Sequence, residues 1–335
     1  MSKHKWTTMH DVAIRAKVGK ITVSRVLRTP EKVAEKTRQR VLDAIRDLGY
    51  VPDGMAGALS SSRSKIVGAL VSTLADSVFT STIEGLSRNL RRSNYELLLA
   101  NTDYAPELED AAVRTLLSRR PDGLVLTSSQ HTPQLRELLL RSNVPVVELW
   151  DLPENPIGHV VGFSNRLAGR AITEYLIARS HRKIAFIGGN RSGDVRGQQR
   201  AEGYQDVLLE AGLGAALFID SPSPELSDVE AGAQGISSAL ERWPDLDAVI
   251  CVSDPLAMGA LCEAARKGIN VPSDLAVTGF GGLELSQPAG LNLTTIEFPG
   301  KRIGEMAADI LLNSEDSDTR QIVDLGFELI RRATA

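Results

Sequence analysis

A short stretch near the start of the chain, KVGKITVSRVL at residues 17–27, combines apolar and polar residues in a pattern suited to binding. Val18, Val23 and Val26 or Leu27 recur at helical spacing and could face a core. Between them lie four residues with cationic or hydroxyl groups: Lys20, Thr22, Ser24 and Arg25. Such groups donate hydrogen bonds to phosphates and to base edges, so this face predicts contact with a nucleic acid.

The charge of the chain is unevenly distributed. Residues 1–65 contain 14 lysines and arginines against 6 acidic residues, whereas the remainder contains 24 against 36. The net charge of −4 for all 335 residues therefore conceals a basic N-terminal segment on an acidic remainder. Because periodic apolar residues accompany the basic charge, we expect a small folded domain that binds a polyanion rather than a solvated tail.

Three short helices are predicted in this segment. The first lies around residues 11–16, the second begins at Lys20, and the third covers residues 35–50 with apolar residues at helical intervals. Gly49 and Pro52 are typical of the end of that third helix. Three helices with a basic second one indicate a helix-turn-helix module, although a generic three-helix bundle fits the same pattern.

The overall composition is that of a soluble protein with more than one domain. The chain is too long for one ordinary core, and its 42% hydrophobic and 24% charged residues are usual for a globular protein. Cys251 and Cys262 have no disulfide or metal-site spacing, and the five histidines have no metal-ligand spacing. No stretch has the length of a signal peptide or a membrane span, so we expect a cytoplasmic protein with no cofactor, no metal and no membrane association.

Beyond Ile66, apolar runs of strand length alternate with amphipathic helical stretches. The predicted strands are IVGALVS, ELLLAN, GLVLTS and PVVELW, followed by KIAFIGG, LFID, AVICVS and LAVTGF. This alternation predicts an α/β fold of parallel sheets covered by helices on both faces. The segment DLPENPIGHVVGFSN separates the two sets, which indicates two similar lobes with a ligand cleft at the carboxyl ends of the strands.

Two other classes of protein compete with a DNA-binding regulator. An α/β enzyme is one, but GGNRSG lacks the GxGxxG spacing of a dinucleotide site and no GxSxG nucleophile motif occurs. We therefore expect no catalytic residues and no enzyme activity. A sugar-binding transport protein is the other, and both the basic segment and the lack of a signal sequence argue against it.

Longer motifs carry a more specific resemblance. MHDVAIRAKVGKITVSRVL and VAEKTRQRVLDAIRDLGYVPD resemble the lactose-repressor (LacI/GalR) family of bacterial transcription regulators, with Lys17 and Gly19 as departures in the turn. LTSSQHTP, VPVVELWD, VGFSN and DLGFEL resemble the gluconate-type repressors of that family. The resemblance implies a homodimeric repressor that binds pseudo-palindromic operator DNA and is controlled by a small sugar-acid effector such as gluconate. A neutral sugar or a phosphosugar is the alternative effector, and an α/β enzyme with a DNA-binding segment is a remote alternative.

The resemblance also implies a domain organisation. The expected parts are a helix-turn-helix domain at 1–52, a hinge at 53–65, and an effector-binding and dimerisation domain at 66–335. The expected lobes of the last domain are, for the first, about 66–162 and 296–324, and for the second, about 163–295 and 325–335.

Six residues are implied at the DNA interface. Lys20, Ile21 and Arg25 occupy the base-contacting positions of the family, where Arg suits guanine and Ile a thymine methyl group. Thr22 and Ser24 fit phosphate contacts, which position the protein without specifying sequence. In the hinge, Leu59 matches a leucine that wedges into the minor groove.

Nine residues are predicted at the effector cleft, from the resemblance or from charge: Ser77, Phe79, Asp151, Arg191, Arg196, Arg200, Ser253, Asp254 and Gly281. Gly281 stands where many members of the family have an acidic residue that binds sugar hydroxyls. The three arginines could bind a carboxylate through paired hydrogen bonds. The absence of an acidic side chain at Gly281 and the presence of three arginines favour an aldonate or a keto-aldonate over a neutral hexose.

Overall fold

The computed structural model of the chain describes residues 6–51, 63–74, 78–128, 130–188, 193–220, 226–313 and 319–335. The chain divides into an N-terminal unit, Met1–Ser64, and a C-terminal unit, Lys65–Ala335. Over the described ranges, no helix combines the length and the apolar character needed to span a bilayer.

The N-terminal unit is built from three helices, α1 (Met9–Ala16), α2 (Lys20–Arg28) and α3 (Glu35–Leu48). A capping box begins α1, in which Thr8 Oγ1 accepts from the Asp11 backbone N–H and the Asp11 carboxylate accepts from the Thr8 N–H. Val12, Val23 and Val41, one from each helix, are fully buried against one another in a common core. The three helices predicted from periodicity are thus confirmed.

The turn between α1 and α2 contains Lys17 in the left-handed region, with φ of 53°. This conformation is uncommon for a residue with a side chain, and here the Lys17 N–H donates to the Ile14 carbonyl to close the helix. Gly19 follows as the N-cap of α2 and provides no side-chain hydrogen bond. Both departures from the family pattern therefore leave the helix-turn-helix geometry intact.

The C-terminal unit contains two six-stranded sheets. The first sheet comprises β1 (Ile66–Val71), β2 (Glu96–Asn101), β3 (Gly123–Leu126), β4 (Val146–Leu149), β5 (His159–Gly162) and β11 (Ile322–Asp324), in the order β11-β5-β4-β3-β1-β2. The second comprises β6 (Ile184–Ile187), β7 (Leu217–Ile219), β8 (Ala248–Cys251), β9 (Ala276–Phe280), β10 (Thr294–Glu297) and β12 (Glu328–Ile330), in the order β12-β10-β9-β8-β6-β7. All neighbouring strands are parallel except β10 and β12.

Eight helices of the described chain cover these sheets. Those of the first lobe are α4 (Thr80–Arg92), α5 (Pro106–Leu117), α6 (Pro133–Ser142) and α11 (Gly300–Asn313). Those of the second lobe are α7 (Asn165–Ala178), α8 (Val195–Glu210), α9 (Asp228–Arg242) and α10 (Asp254–Arg266). Helices pack pairwise, α4 on α11, α7 on α8 and α9 on α10. The result is the predicted α/β architecture with two similar lobes.

The chain passes between the two lobes three times. It leaves the first lobe after β5, returns after β10 to form α11, and leaves again after β11 to end with β12. Buried aromatic side chains from both lobes pack together where these connections run. The carboxyl ends of the parallel strands therefore face one another across a single cleft, as expected for a ligand site of this architecture.

Candidate DNA-binding and effector-binding sites

The second helix of the N-terminal unit has one buried apolar face and one exposed face, as the sequence predicts. Val23 and Val26 are buried in the core, whereas Ile21 is 72% exposed and Lys20 and Arg25 are also exposed. An isoleucine so exposed has no packing role within the unit. The outer face of α2 therefore presents two cations and an apolar side chain, which suits contact with base edges in a groove.

Hydroxyl groups flank this face. Thr22 and Ser24 are half-buried on α2, between the buried valines and the exposed cations. Hydroxyls at the border of a recognition helix can reach the phosphate backbone, which positions the helix in the groove. Their contacts with DNA stay a prediction.

Basic side chains of the N-terminal unit fall into two groups. Three arginines form ion pairs with acidic residues of the same unit: Arg15 with Asp47, Arg38 with Glu35, and Arg46 with Asp43. Six others form no ion pair among the described residues: Lys17, Lys20, Arg25, Lys32, Lys36 and Arg40. The unpaired cations lie between the end of α1 and the middle of α3 and are available to phosphates.

Three predicted site residues lie outside the described residues. They are Leu59 in the predicted hinge, and Ser77 and Arg191 at the predicted cleft. Their roles stay predictions.

Phe79 begins the aromatic part of the cleft, but it is buried rather than open. Only 2% of it is exposed, and its ring centroid lies 4.6 Å from that of Trp150. Trp150 in turn contacts Phe298 at 4.4 Å, and Phe163 stacks on Phe298 at 5.2 Å. Phe79 thus belongs to an aromatic cluster that forms the floor between the lobes, with the Arg196 guanidinium 5.1 Å from its ring centroid.

Arg196 extends from the first turn of α8 in the second lobe to the first lobe. Its Nη1 donates to the Thr127 carbonyl oxygen at the end of β3, and its Nη2 donates to Ser72 Oγ at the end of β1, at 3.1 Å. The residue is only 7% exposed. Its guanidinium is therefore a direct polar connection across the cleft.

Arg200 lies one turn further along α8. Its Nη1 donates to Asn165 Oδ1 at 3.3 Å and its guanidinium lies 4.0 Å from the centroid of the Phe280 ring. Its Nε is buried and has no hydrogen-bond partner among the described residues. Burial, together with the positive charge of Arg196, lowers the pKa of Arg200 to about 10, although the negative charge of Asp194 opposes this. A buried cation with an unused donor would gain from an anionic ligand.

Asp151 follows β4 and also connects the lobes. Its Oδ2 accepts from Gln199 Nε2 of α8 at 3.1 Å, and its Oδ1 accepts from the Leu152 N–H at 2.8 Å. The carboxylate thus contacts α8, the helix that carries the two arginines, and its contact with a ligand stays a prediction.

Ser253 and Asp254 begin α10, and both have partners within the second lobe. Ser253 Oγ caps the helix by accepting from the Leu256 N–H. The Asp254 carboxylate is buried and accepts from Thr295 Oγ1 at 2.6 Å, from the Leu283 N–H at 3.0 Å and from Ser286 Oγ. Asp254 therefore holds the loop after β9 in place rather than presenting a free carboxylate to the cleft.

Gly281 belongs to the loop that Asp254 holds. Its φ of +146° is a conformation that residues with side chains rarely adopt. A Cβ atom there would also lie 3.3 Å from both Asp254 Oδ2 and Val78 Cγ1 of the first lobe. The structure therefore accounts for a glycine at this position, and an acidic side chain in the same backbone conformation would be strained.

A polar cavity of about 70 Å³ lies on the first-lobe side of Arg196. Side chains that follow β1, β2 and β3 line it together with the start of α5, and those used below are Ser72, Thr102, Glu109, Thr127, Ser128 and Arg196. Apart from Arg196, these residues were not predicted from the sequence. Their positions could have indicated them, because each follows a predicted strand or lies near the start of the next helix.

Beneath this cavity, His131 lies between two buried carboxylates. Its Nδ1 is 3.0 Å from Glu109 Oε1 of α5, and its Nε2 is 3.6 Å from Glu148 Oε1 of β4. Glu148 Oε2 accepts from the backbone N–H groups of Ile157 and Gly158. Burial alone lowers the pKa of His131, but the two glutamates raise it to about 9, so the imidazole is protonated at neutral pH.

Comparison with known proteins decides the family. Residues 8–53 match the family model described as bacterial regulatory proteins of the lacI family, and residues 64–328 match that of periplasmic binding proteins and the sugar-binding domain of the LacI family. The chain belongs to the LacI family of bacterial transcriptional regulators. This LacI-family protein is therefore a DNA-binding regulator with a helix-turn-helix domain and a periplasmic-binding-protein-like domain.

Several curated relatives match over nearly the whole LacI-family chain. The HTH-type transcriptional regulator GntR of Escherichia coli (strain K12) is 36% identical over 329 residues, which is 98% of each chain. GntR of Pseudomonas aeruginosa is 38% identical over 97% of this chain and 94% of its own. The regulator IdnR of Escherichia coli is 32% identical over 98% of each chain. All three are named as regulators of transcription rather than as enzymes.

Solved structures show the same architecture as this LacI-family regulator. A LacI-family transcriptional regulator from Silicibacter pomeroyi has a TM-score of 0.89 and 32% identity, with 98% of this chain and 99% of that chain covered. The lac repressor dimer bound to operator and the anti-inducer ONPF has a TM-score of 0.79 and 25% identity, with 98% and 99% covered.

Proposed function

We propose that this regulator is a repressor that binds pseudo-palindromic operator DNA as a homodimer and responds to a small sugar acid of the gluconate class. The lac repressor, which is similar in structure, is a dimer on its operator. Two of the relatives that cover nearly the whole chain share the name GntR, and gluconate is the acid that the sequence resemblance implies. The effector, the dimer and repression itself are proposals.

The observation that carries the choice of an acid is the unfilled hydrogen-bonding capacity of Arg200. Within the described ranges its Nε is buried without a hydrogen-bond partner, and a second guanidinium, that of Arg196, lies one turn away on the same helix. A carboxylate offers two oxygens to the planar fork of a guanidinium and neutralises charge in a buried site. A neutral hexose offers no negative charge to these two guanidinium groups.

The remaining cleft residues take supporting roles in this proposal. Asp151 and Ser253 bind hydroxyl groups of the effector, and Phe79 supports the site from the buried aromatic cluster. Asp254 acts indirectly by fixing the loop that contains Gly281. Ser77 and Arg191, which lie outside the described residues, complete the set of effector-binding residues in this proposal.

At the operator, the exposed face of α2 carries sequence recognition in this proposal. Lys20, Ile21 and Arg25 contact base edges in the major groove, and Thr22 and Ser24 contact phosphates. Leu59 enters the minor groove between base steps and favours a bent operator.

Fluorescence anisotropy tests the proposal as a whole. Operator DNA selected from a random-sequence pool is titrated with the full-length protein, with and without gluconate, 2-ketogluconate, gluconate 6-phosphate or glucose. We expect gluconate or the keto acid to change operator affinity and glucose to have no effect. A response to glucose alone would show a neutral-sugar effector, and a response to the phosphate alone would show a phosphosugar effector.

A further inference from the structure

We propose that Glu109 is the acidic residue that binds the terminal hydroxyl groups of the effector, in the polar cavity on the first-lobe side of Arg196. This inference rests on the proposed sugar-acid function and extends it to a residue of the opposite lobe from Gly281. It assigns a subsite to the polyol end of the acid. It also explains why this subsite would prefer a terminal hydroxyl group to a terminal phosphate.

The first support is the position of Glu109 in the cavity. It lies in the first turns of α5, near the positive end of the helix dipole, which stabilises a carboxylate. Only 5% of its side chain is exposed, and it lines the cavity of about 70 Å³. Its Oε1 contacts His131, whereas its Oε2 has no hydrogen-bond partner among the described residues. One oxygen of the carboxylate is thus fixed and the other is available to accept.

The second support is the charge state of the cluster beneath it. The imidazolium of His131 lies between Glu109 and Glu148, and Glu148 is held by two backbone N–H groups. The positive charge of His131 beside Glu109 favours a negative carboxylate there, and a carboxylate is an acceptor only. Sugar hydroxyls are donors, so they match the available oxygen.

The third support is the position of the cavity relative to the two arginines. Arg196 lines the cavity, and Arg200 lies one turn further along the same helix. In this proposal the carboxylate of the acid pairs with Arg200 and its far end enters the cavity beside Arg196. Ser72, Thr102 and Ser128 line the same space, and their hydroxyl oxygens can accept from the effector in addition to the hydrogen bonds that they make within the protein.

The size and charge of the cavity limit what can occupy it. A cavity of about 70 Å³ has room for a few water-sized groups, such as the hydroxymethyl end of a polyol chain. A phosphate at that end would meet the charge of Glu109 directly. The subsite therefore favours a terminal hydroxymethyl group and disfavours a terminal phosphate.

Calorimetric titration of the full-length protein with four acids tests the inference. The ligands are gluconate, 6-deoxygluconate, the five-carbon xylonate and gluconate 6-phosphate. We expect Glu109→Gln to weaken gluconate binding roughly tenfold or more, as for the loss of one charge-assisted hydrogen bond. The affinities for 6-deoxygluconate and xylonate should stay within about twofold, and discrimination against the phosphate should fall.

Glu107→Gln is the matched control, because Glu107 is an exposed carboxylate in the first turn of the same helix. An equal loss for all four acids in Glu109→Gln, or no loss for any, would overturn the inference and leave the sugar-acid effector standing. If the wild type binds none of the acids, both the proposed function and this inference are rejected. Retained binding of xylonate by Glu109→Gln also shows that the variant is folded.

Discussion

Arg196 of α8 in the second lobe donates from Nη2 to Ser72 Oγ of the first lobe at 3.1 Å. The Nη1 of the same guanidinium donates to the Thr127 carbonyl oxygen, so one side chain joins α8 to the ends of two strands of the other lobe. At the same edge, Gly193 approaches Tyr104 so closely that a Cβ atom would lie 2.2 Å from the Tyr104 carbonyl oxygen. The cleft is thus closed by specific polar contacts.

Removing the Arg196 guanidinium should loosen this closure. We expect Arg196→Met to lower the free energy of unfolding of the C-terminal unit by roughly 1–3 kcal/mol, because Ser72 and Thr127 lose a charged partner in a buried place. Urea denaturation followed by circular dichroism measures the change. Arg141→Met, which removes an exposed arginine paired with Glu137 on the surface of α6, is the control and should have little effect. Equal stability of the two variants would show that the closure contacts contribute nothing.

The stability of the C-terminal unit should depend on pH through His131. Its pKa in the folded protein is about 9, above the ordinary 6.5, because Glu109 and Glu148 outweigh the effect of burial. A raised folded-state pKa stabilises the fold fully below pH 6.5, and this stabilisation is lost as pH rises through about 9. Wild type should therefore lose roughly 1–3 kcal/mol relative to His131→Gln over that window.

Urea unfolding at a series of pH values measures this difference. His10→Gln, an exposed substitution in the N-terminal unit, should leave the pH profile of the C-terminal unit unchanged. A difference between wild type and His131→Gln that is constant over the window would mean that His131 does not gain a proton on folding.

Sequence specificity for DNA should depend on Arg25. We expect Arg25→Ala to lose about 1–3 kcal/mol of discrimination between operator and scrambled DNA, the value of one bidentate contact with a base. Anisotropy titrations on both DNAs measure the ratio. Arg46→Ala is the matched control, since Arg46 is exposed but paired with Asp43 on α3. An equal weakening on both DNAs by Arg25→Ala would assign Arg25 to a phosphate.

Periodicity predicted most of the fold for a physical reason. Strands buried on both faces, such as β1 and β8, appear as continuous apolar runs, and the sequence marks their ends with polar residues. The three-residue strands β11 and β12 are only partly buried and have no such run, so their sequence pattern does not distinguish them from loops. Two largely buried strands, β5 and β10, were also not predicted, and β5 lies within DLPENPIGHVVGFSN, the segment expected to separate the two sets of strands.

The candidate site was predictable only in part. The sequence places Arg196 and Arg200 on one face of a helix, because residues four apart lie one above the other. It does not show that Arg196 reaches Ser72, which is 124 residues away and belongs to the other lobe. Glu109 was missed for the same reason, since its contact with His131 and its place in the cavity depend on tertiary packing. Asp254 was expected at the cleft from resemblance, but its three donors lie within its own lobe.

The central claim is that Arg200 binds the carboxylate of a sugar acid, and calorimetric titration with gluconate and glucose tests it most directly. The protein variants are wild type, Arg200→Ala and Arg141→Ala, the last an exposed arginine as control. We predict that gluconate binds wild type and Arg141→Ala alike, that glucose binds neither measurably, and that Arg200→Ala weakens gluconate binding at least about tenfold. Tighter binding of glucose than of gluconate by wild type, or unchanged gluconate affinity in Arg200→Ala, would contradict the account.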